Sequence, residues 1–296
     1  MDISSFNQVI IQEFLNWEPT KSNVNDSEFY TKRLHHFRTL FEPYVYNILI
    51  KKYADSLDKF WQDYLPPLES DKAFVIIERR CHPNYWFVLR NIAWANPNMS
   101  VYIICSEENE LFIRSLLGNK ASNFHILPLF TGSPDRITAI RDYNNLLTDY
   151  RFYEKINAKY MLTIQMDVFI RKKLTDDIFI GDYWGAPWGW KQVMPGGSGA
   201  TIRCVERMIE LCKLYRPSPK LTDDINGEDV WFSNKIIELG WKYPDIEFRK
   251  KAIMESIPTA DPYIVHQFWT YFDAFKFNLQ SEIFLKYLQC ILSIHI

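Results

Sequence analysis

Residues 160–167 read YMLTIQMD, and the chain continues as VFIRKKL to Leu174. The run from Tyr160 to Gln165 is nearly continuous in its apolar character rather than alternating, which is the pattern of a strand covered on both faces. It stops at the carboxylate of Asp167, and Arg171, Lys172 and Lys173 mark the return to solvent. A buried strand that ends this way has two readings. Asp167 is either a polar residue that takes the chain out of the core, since Asp is a common turn former, or a carboxylate at the rim of a site. Ligands of open parallel sheets bind outside the carboxyl ends of the strands, and Asp167 falls there.

Similar runs recur on either side: AFVIIE at 73–78, VYIIC at 101–105, FHILPL at 124–129 and IFIG at 178–181. Between them lie segments with helical texture, PNYWFVLRNIAWA (83–95), NELFIRSLLG (109–118) and RITAIRDYNNLLTDYRFYEKI (136–156). Strands that alternate with helices predict an α/β domain around a mostly parallel sheet. Ahead of it, Phe6, Val9, Ile10, Phe14 and Leu15, and then Phe37, Leu40, Phe41, Tyr44 and Ile48, recur at spacings of three and four, so residues 1–68 read as a helical N-terminal extension. LPPLESDK at 65–72 ends that extension, because two prolines cannot continue a helix. The α/β domain is expected over 73–272 and a C-terminal amphipathic helix over 273–296. The apolar stripe of that helix (Phe284, Leu285, Leu288, Ile291, Leu292) reads as intramolecular packing, since its polar face is not notably basic.

With 34 basic and 36 acidic residues dispersed along the chain, a nucleic-acid partner has no electrostatic support. The five cysteines show no Cys-x-x-Cys spacing and an odd count, which predicts reduced, buried thiols and no zinc site. The first residues, MDISSFNQVI, lack the pattern of a signal peptide, and no run of apolar residues is long enough to span a bilayer; the expectation is a cytoplasmic protein without a transmembrane segment.

Further segments carry candidate chemistry, each with a plain structural alternative. MPGGSGATIRC (194–204) places Gly196, Gly197 and Gly199 before another apolar stretch, where missing side chains allow a ligand close to the backbone or simply a flexible turn. The segment fits neither the phosphate-binding P-loop nor the dinucleotide fingerprint. In NGEDVWFSNKIIELGW (226–241), Glu228 and Asp229 open a helix, where carboxylates also serve the helix dipole. His266 sits in the aromatic stretch YIVHQFW, as either a hydrogen-bonded core residue or a ligand. Glu78, Arg79 and Arg80 follow the first strand directly, as a nucleotide contact or a solvated strand exit. Trp184, Trp188 and Trp190 offer flat faces for sugar rings, or core filling.

The ordered set resembles the GT-A fold of nucleotide-sugar-dependent glycosyltransferases, which carry an Asp-x-Asp motif, a glycine loop, an x-Glu-Asp motif and a late His. More narrowly, LTIQMD, FIGDYWGAPW, GGSGATIR, EDVWFS and HQFW are similar to a little-characterised GT-A-like family whose members read close to IFQTD, DYIGAPW, GNGGFSLR, EDVFFS and HKFW. The resemblance covers about residues 73–272. It implies a GT-A, Rossmann-like domain that moves a sugar from a nucleotide-sugar donor to a hydroxyl of a glycan, protein or small-molecule acceptor. It implies Asp229 as general base of an inverting displacement, with Glu228 beside it, and Mn²⁺ or Mg²⁺ at Asp167 and His266. The donor would lie against Glu78, Arg79, Arg80, Gln165, Asp167, Gly196 and Gly197, and the acceptor against Trp188 and Trp190. Gln165 stands where the superfamily has its first Asp, so this motif supplies one carboxylate, and weaker metal affinity is expected. Two rivals follow: a non-catalytic carbohydrate-binding or scaffolding protein on a degenerate GT-A fold, and a nucleotidyltransferase, for which ERRCHPNYW after the first strand has the charge but not the glycines.

Overall fold

The computed structural model describes residues 1–20, 22, 26–132, 135–216, 227–272 and 278–296. Strand β1 (Lys72–Ile77) lies between β2 (Ser100–Ser106) and β4 (Tyr160–Ile164), parallel to both, and β3 (His125–Phe130) extends the sheet beyond β2. On the other side β7 (Ala200–Cys204) runs antiparallel to β4 and β6 (Tyr183–Gly185) antiparallel to β7, which completes the order β3-β2-β1-β4-β7-β6 with only β7 reversed. A small second sheet pairs β5 (Val168–Ile170) with β9 (Ile264–His266), and β9 with β8 (Ile253–Met254).

Because successive strand residues face opposite sides, the continuous apolar runs feed two cores. Phe74, Ile76, Val101, Ile103, Leu162 and Ile164 enter one, with side chains from α1 (Ile3–Asn16), α2 (Ser27–Gln62), α3 (Tyr85–Ala95) and α4 (Glu107–Leu117). Ala73, Val75, Ile77, Tyr102, Ile104 and Met161 enter the other, with α5 (Arg136–Leu147), α6 (Tyr150–Tyr153), α7 (Val205–Tyr215) and α8 (Glu228–Glu238). The expected class is observed: an α/β, Rossmann-like, mostly parallel sheet flanked by helices, with helices ahead of it.

The lead-in helices share the first core directly. Phe6, Ile10 and Phe14 of α1 and Phe37, Phe41 and Ile48 of α2 are buried in it, and a fully buried Phe contributes about 1.5–3 kcal/mol. The Asp26 carboxylate caps α2 by accepting from the Glu28 N–H at 2.8 Å. Helices α9 (Ile246–Ala252) and α10 (Glu282–Ile291) complete the first core, where Phe284, Leu288 and Ile291 of α10 are buried. The expected tail segment 273–296 begins outside the described residues, at 273–277, as does Asn226 ahead of α8.

Some sequence expectations need correction. IFIG at 178–181 is not a strand: Asp176–Ile178 form a 3₁₀ turn, Gly181 takes φ +75°, and pairing starts at Tyr183. A Cβ at Gly181 would lie 2.9 Å from the Lys242 carbonyl oxygen, so a neighbouring backbone occupies the space a strand side chain would need. The helix expected over 136–156 breaks after Leu147, where Thr148 Oγ1 turns back to the Asn144 carbonyl at 2.8 Å and Asp149 caps α6. The cysteines are free thiols, but Cys81 and Cys290 are exposed rather than buried. Among the described residues no helix is long and apolar enough to cross a membrane.

Candidate active site

Beyond β4 the chain makes a turn in which each residue is held. The Gln165 N–H donates to the Gly199 carbonyl at 2.9 Å, Asn84 Nδ2 donates to the Met166 carbonyl at 2.9 Å, and the Gln267 N–H donates to the Asp167 carbonyl at 3.2 Å. The Asp167 carboxylate, 4% exposed, therefore has a fixed direction. Its Oδ2 accepts from Arg38 Nη2 of α2 at 2.7 Å, and its Oδ1 faces His266 Nε2 at 3.2 Å. Burial would raise the Asp167 pKa, but His266 and Arg38 outweigh it and hold the group well below the usual carboxylate range.

His266 arrives through the second sheet, where Val168 of β5 pairs with His266 of β9. Its Nδ1 lies between two partners, accepting from the Gly199 N–H at 3.2 Å and standing 3.5 Å from Glu255 Oε1. Burial opposes a charged ring, yet Asp167 and Glu255 on its two sides push the pKa up to about 9. The Gly199 N–H pulls the other way, because it needs a lone pair on Nδ1.

These contacts test whether the site fits a metal. Asp167 Oδ1 and His266 Nε2 are both buried, lack a partner with hydrogen-bond geometry, and lie 3.2 Å apart. Ligands of one octahedral ion at about 2.0–2.1 Å sit about 3 Å from each other. To offer its Nε2 lone pair the ring must carry its proton on Nδ1, directed at Glu255 and at the cost of the Gly199 contact, which is the usual arrangement of a histidine ligand backed by a carboxylate. The pair fits as two ligands of a divalent ion. Among the described residues no group of three or more His, Cys, Asp or Glu side chains surrounds such a position, so further ligands must come from elsewhere.

The glycine loop threads between this pair and Asp229. A Cβ at Gly199 would lie 2.6 Å from His266 Nε2 and 2.9 Å from Gln165 Oε1, whereas a Cβ at Gly197 would lie 2.5 Å from Asp229 Oδ2. Gly196 takes φ +85°, and a Cβ there would meet the Ala186 carbonyl oxygen at 2.1 Å. Asp229 accepts from its neighbour's N–H at Val230, at 2.8 Å. Burial, then the charge of Glu228 and also that of Glu255, raises its pKa to about 7. Glu228 is buried and committed to Arg203, Nη2 to Oε2 at 2.9 Å. Gln165 Nε2 donates to Tyr143 Oη of α5 at 3.1 Å.

Gln165 and Asp167 also line a cleft of about 1260 Å³, whose other walls include Glu78, Arg79 and Arg80 after β1 and the inner stripe of α2. Glu78 accepts from Arg80 through both Nε (2.8 Å) and Nη2 (2.6 Å), and Arg79 is tied to Asp142 at 3.0 Å and to the Thr131 carbonyl at 2.9 Å. Gly196, Gly197, Asp229 and His266 are outside that lining; His266 adjoins it through Asp167, and Gly199 through Gln165. Trp188 and Trp190 stack with ring centroids 6.0 Å apart; Trp188 is buried and Trp190 is 62% exposed. Their turn is bound to Ser256, whose Oγ accepts from the Gly189 N–H at 3.0 Å, next to Glu255.

A family model described as "Protein of unknown function (DUF5672)" matches residues 130–270. No curated protein matches the chain. Among solved structures it is similar to the apo-form glycosyltransferase GlyE of Streptococcus pneumoniae TIGR4, at 12% identity and a TM-score of 0.44 over 67% of this chain; the chain spans only 54% of GlyE. It is similar as well to the mannosyltransferase PcManGT of Pyrobaculum calidifontis in complex with GDP-Man and Mn²⁺, at 12% identity and a TM-score of 0.38, over 72% of this chain and 67% of that one. The 4-diphosphocytidyl-2C-methyl-D-erythritol synthase of Anaerococcus prevotii DSM 20548 gives 10% identity and a TM-score of 0.34, over 57% and 82% of the two chains.

The matched range 130–270 contains Asp167, the glycine loop, Asp229 and His266, and excludes Arg38 and Glu42. Sequence reasoning missed those two along with Asn84, Tyr143 and Glu255. Glu255 carried a usable signal: Ile253-Met254-Glu255 repeats, in short form, the apolar run ending in a carboxylate seen at Asp167. Glu42, on α2, accepts from Asn84 Nδ2 at 2.8 Å, and burial followed by the charge of Asp167 raises its pKa to about 7.

Proposed function

We propose that the chain is a GT-A-type glycosyltransferase that moves a sugar from a nucleotide-sugar donor to an acceptor hydroxyl with inversion. The observation that carries this reading is the Gly197–Gly199 segment, with Asp229 against one end and the Asp167–His266 pair against the other. A carboxylate with a pKa near 7 is suited to take a proton at neutral pH, and a pair of unpartnered ligand atoms nearby is suited to the charge that develops on a leaving diphosphate.

In this scheme the nucleotide lies in the cleft along Glu78, Arg79 and Arg80, with Gln165 offering a neutral oxygen to a ribose hydroxyl. Gly196 and Gly197 bring the backbone close to the transferred sugar. As the acceptor oxygen bonds to the anomeric carbon, its proton passes to Asp229, and the bond from that carbon to the diphosphate oxygen breaks with its electron pair leaving on the diphosphate. Glu228, fixed by Arg203, holds the Asp229 pKa up through its own negative charge. Asp167 and His266 would hold Mg²⁺ or Mn²⁺. When bound, that cation supplies Lewis-acid stabilisation of the departing diphosphate. The exposed face of Trp190, stacked on Trp188, is a platform for an acceptor sugar ring.

The test is Asp229→Asn in an assay of donor hydrolysis and transfer across nucleotide sugars, with Mn²⁺ and with chelator. Loss of about 10²–10⁴ in kcat with melting preserved supports the base. A wild type that binds sugars and turns over no donor marks a carbohydrate-binding scaffold instead.

A further inference from the structure

We infer that Arg38 of α2 binds the diphosphate of the donor, so that the helix ahead of the sheet forms one wall of the catalytic cleft. The inference rests on the glycosyltransferase reading and extends it to a residue outside the matched family region.

Helix α2 buries one side in the core and turns a second stripe, His35, Arg38, Thr39, Glu42 and Tyr46, to the cleft. These positions recur at three and four, as one helix face requires. The stripe is anchored on the turn that carries Asp167. Tyr46 Oη donates to the Val168 carbonyl at 2.9 Å, and Asn84 Nδ2 links Glu42 (2.8 Å) to the Met166 carbonyl (2.9 Å). The backbone at Arg38 is itself tied down, since Trp269 Nε1 donates to its carbonyl at 3.3 Å.

Arg38 therefore reaches Asp167 from a fixed base, and only one of its guanidinium nitrogens is used there, Nη2 at 2.7 Å. Among the described residues its Nε and Nη1 have no hydrogen-bond partner, and the side chain is 44% exposed at the cleft. A guanidinium stays protonated and presents a planar fork that matches two phosphate oxygens. A diphosphate brought beside an unbalanced Asp167 would meet charge repulsion, and Arg38 cancels it while offering free donors. Arg79 and Arg80 are less free, being bound to Asp142 and Glu78. Gln165, in place of a second carboxylate, suits a site whose positive charge comes partly from an arginine.

The experiment is calorimetric titration of wild type, Arg38→Ala and Arg38→Lys with UDP, GDP, ADP and CDP and with the corresponding nucleosides, in Mn²⁺ and in chelator, alongside melting curves. The nucleoside diphosphate that wild type binds should bind about ten-fold or more weakly to Arg38→Ala, with Arg38→Lys between, while the matching nucleoside changes by less than about two-fold. Equal diphosphate affinity in the Ala variant overturns the role of Arg38 and leaves the glycosyltransferase reading standing. Equal loss of nucleoside and diphosphate reduces Arg38 to structural support. If the Ala variant melts early, the Lys variant decides: it keeps the charge beside Asp167 but not the fork, and unchanged diphosphate binding there overturns the inference. A wild type that binds none of the four diphosphates overturns the glycosyltransferase reading itself.

Discussion

Gly199 and His266 are packed so closely that one methyl group would not fit between them: a Cβ on the glycine would stand 2.6 Å from Nε2 of the imidazole. The glycine is thus required by space, because Gly199 is not among the glycines with positive φ. Gly199→Ala should push the ring away from Asp167, cost about 1–3 kcal/mol through overpacking, and remove transfer activity. Urea denaturation and a donor-turnover assay check this; an Ala variant as stable and active as wild type would disprove the packing argument.

Glu228 and Asp229 are adjacent carboxylates with different tasks. Glu228→Gln strands the buried Arg203 charge and should lower stability by about 3–5 kcal/mol. It also removes a negative neighbour of Asp229, so the acid limb of the kcat/KM profile should move below the pH of about 7 expected for wild type. A variant whose limb stays in place would show that burial and Glu255, not Glu228, raise Asp229.

For His266 the folded-state pKa of about 9 exceeds the ordinary 6.5. Its charged form then adds stability that is complete below pH 6.5 and is lost as pH climbs towards about 9. In metal-free buffer, wild type should lose clearly more stability across that window than His266→Gln, whose smaller fall comes from the remaining ionisation of Glu42 and Asp229. Parallel curves would mean that the Gly199 N–H keeps the ring neutral throughout.

Glu42 has the opposite sign. Its pKa rises from 4.5 to about 7, so ionisation penalises the fold progressively between those values and fully above them. Glu42→Gln keeps an oxygen for Asn84 and should be more stable than wild type by about 1–3 kcal/mol at pH 8, with the difference vanishing near pH 4.5. Equal stability at pH 8 would place Glu42 in a wetter setting than its partners indicate.

The amino-acid order alone was enough for β1 to β4, most helices and the x-x-Asp turn, because apolar periodicity records which faces are covered, whereas the two- and three-residue strands β5, β6, β8 and β9 are too short to show a period. It failed at IFIG, where Gly181 and the nearby Lys242 backbone override a strand-like composition, and at Thr148, where a side-chain hydrogen bond ends a helix. Both failures involve contacts between residues whose partners periodicity does not reveal.

What the sequence determined is the inventory: a covered sheet, a carboxylate at the end of β4, a glycine loop, an acidic pair opening α8 and a late histidine. Only the tertiary structure decided their company. Pairing of Val168 with His266 sets the imidazole beside Asp167, close packing at Gly197 sets Asp229 beside the loop, and α2 brings Arg38 across 129 positions of chain to the same carboxylate. Such meetings depend on where whole helices and sheets dock, and a one-dimensional pattern of apolar and polar residues specifies which faces are buried without naming the partner each polar atom will find.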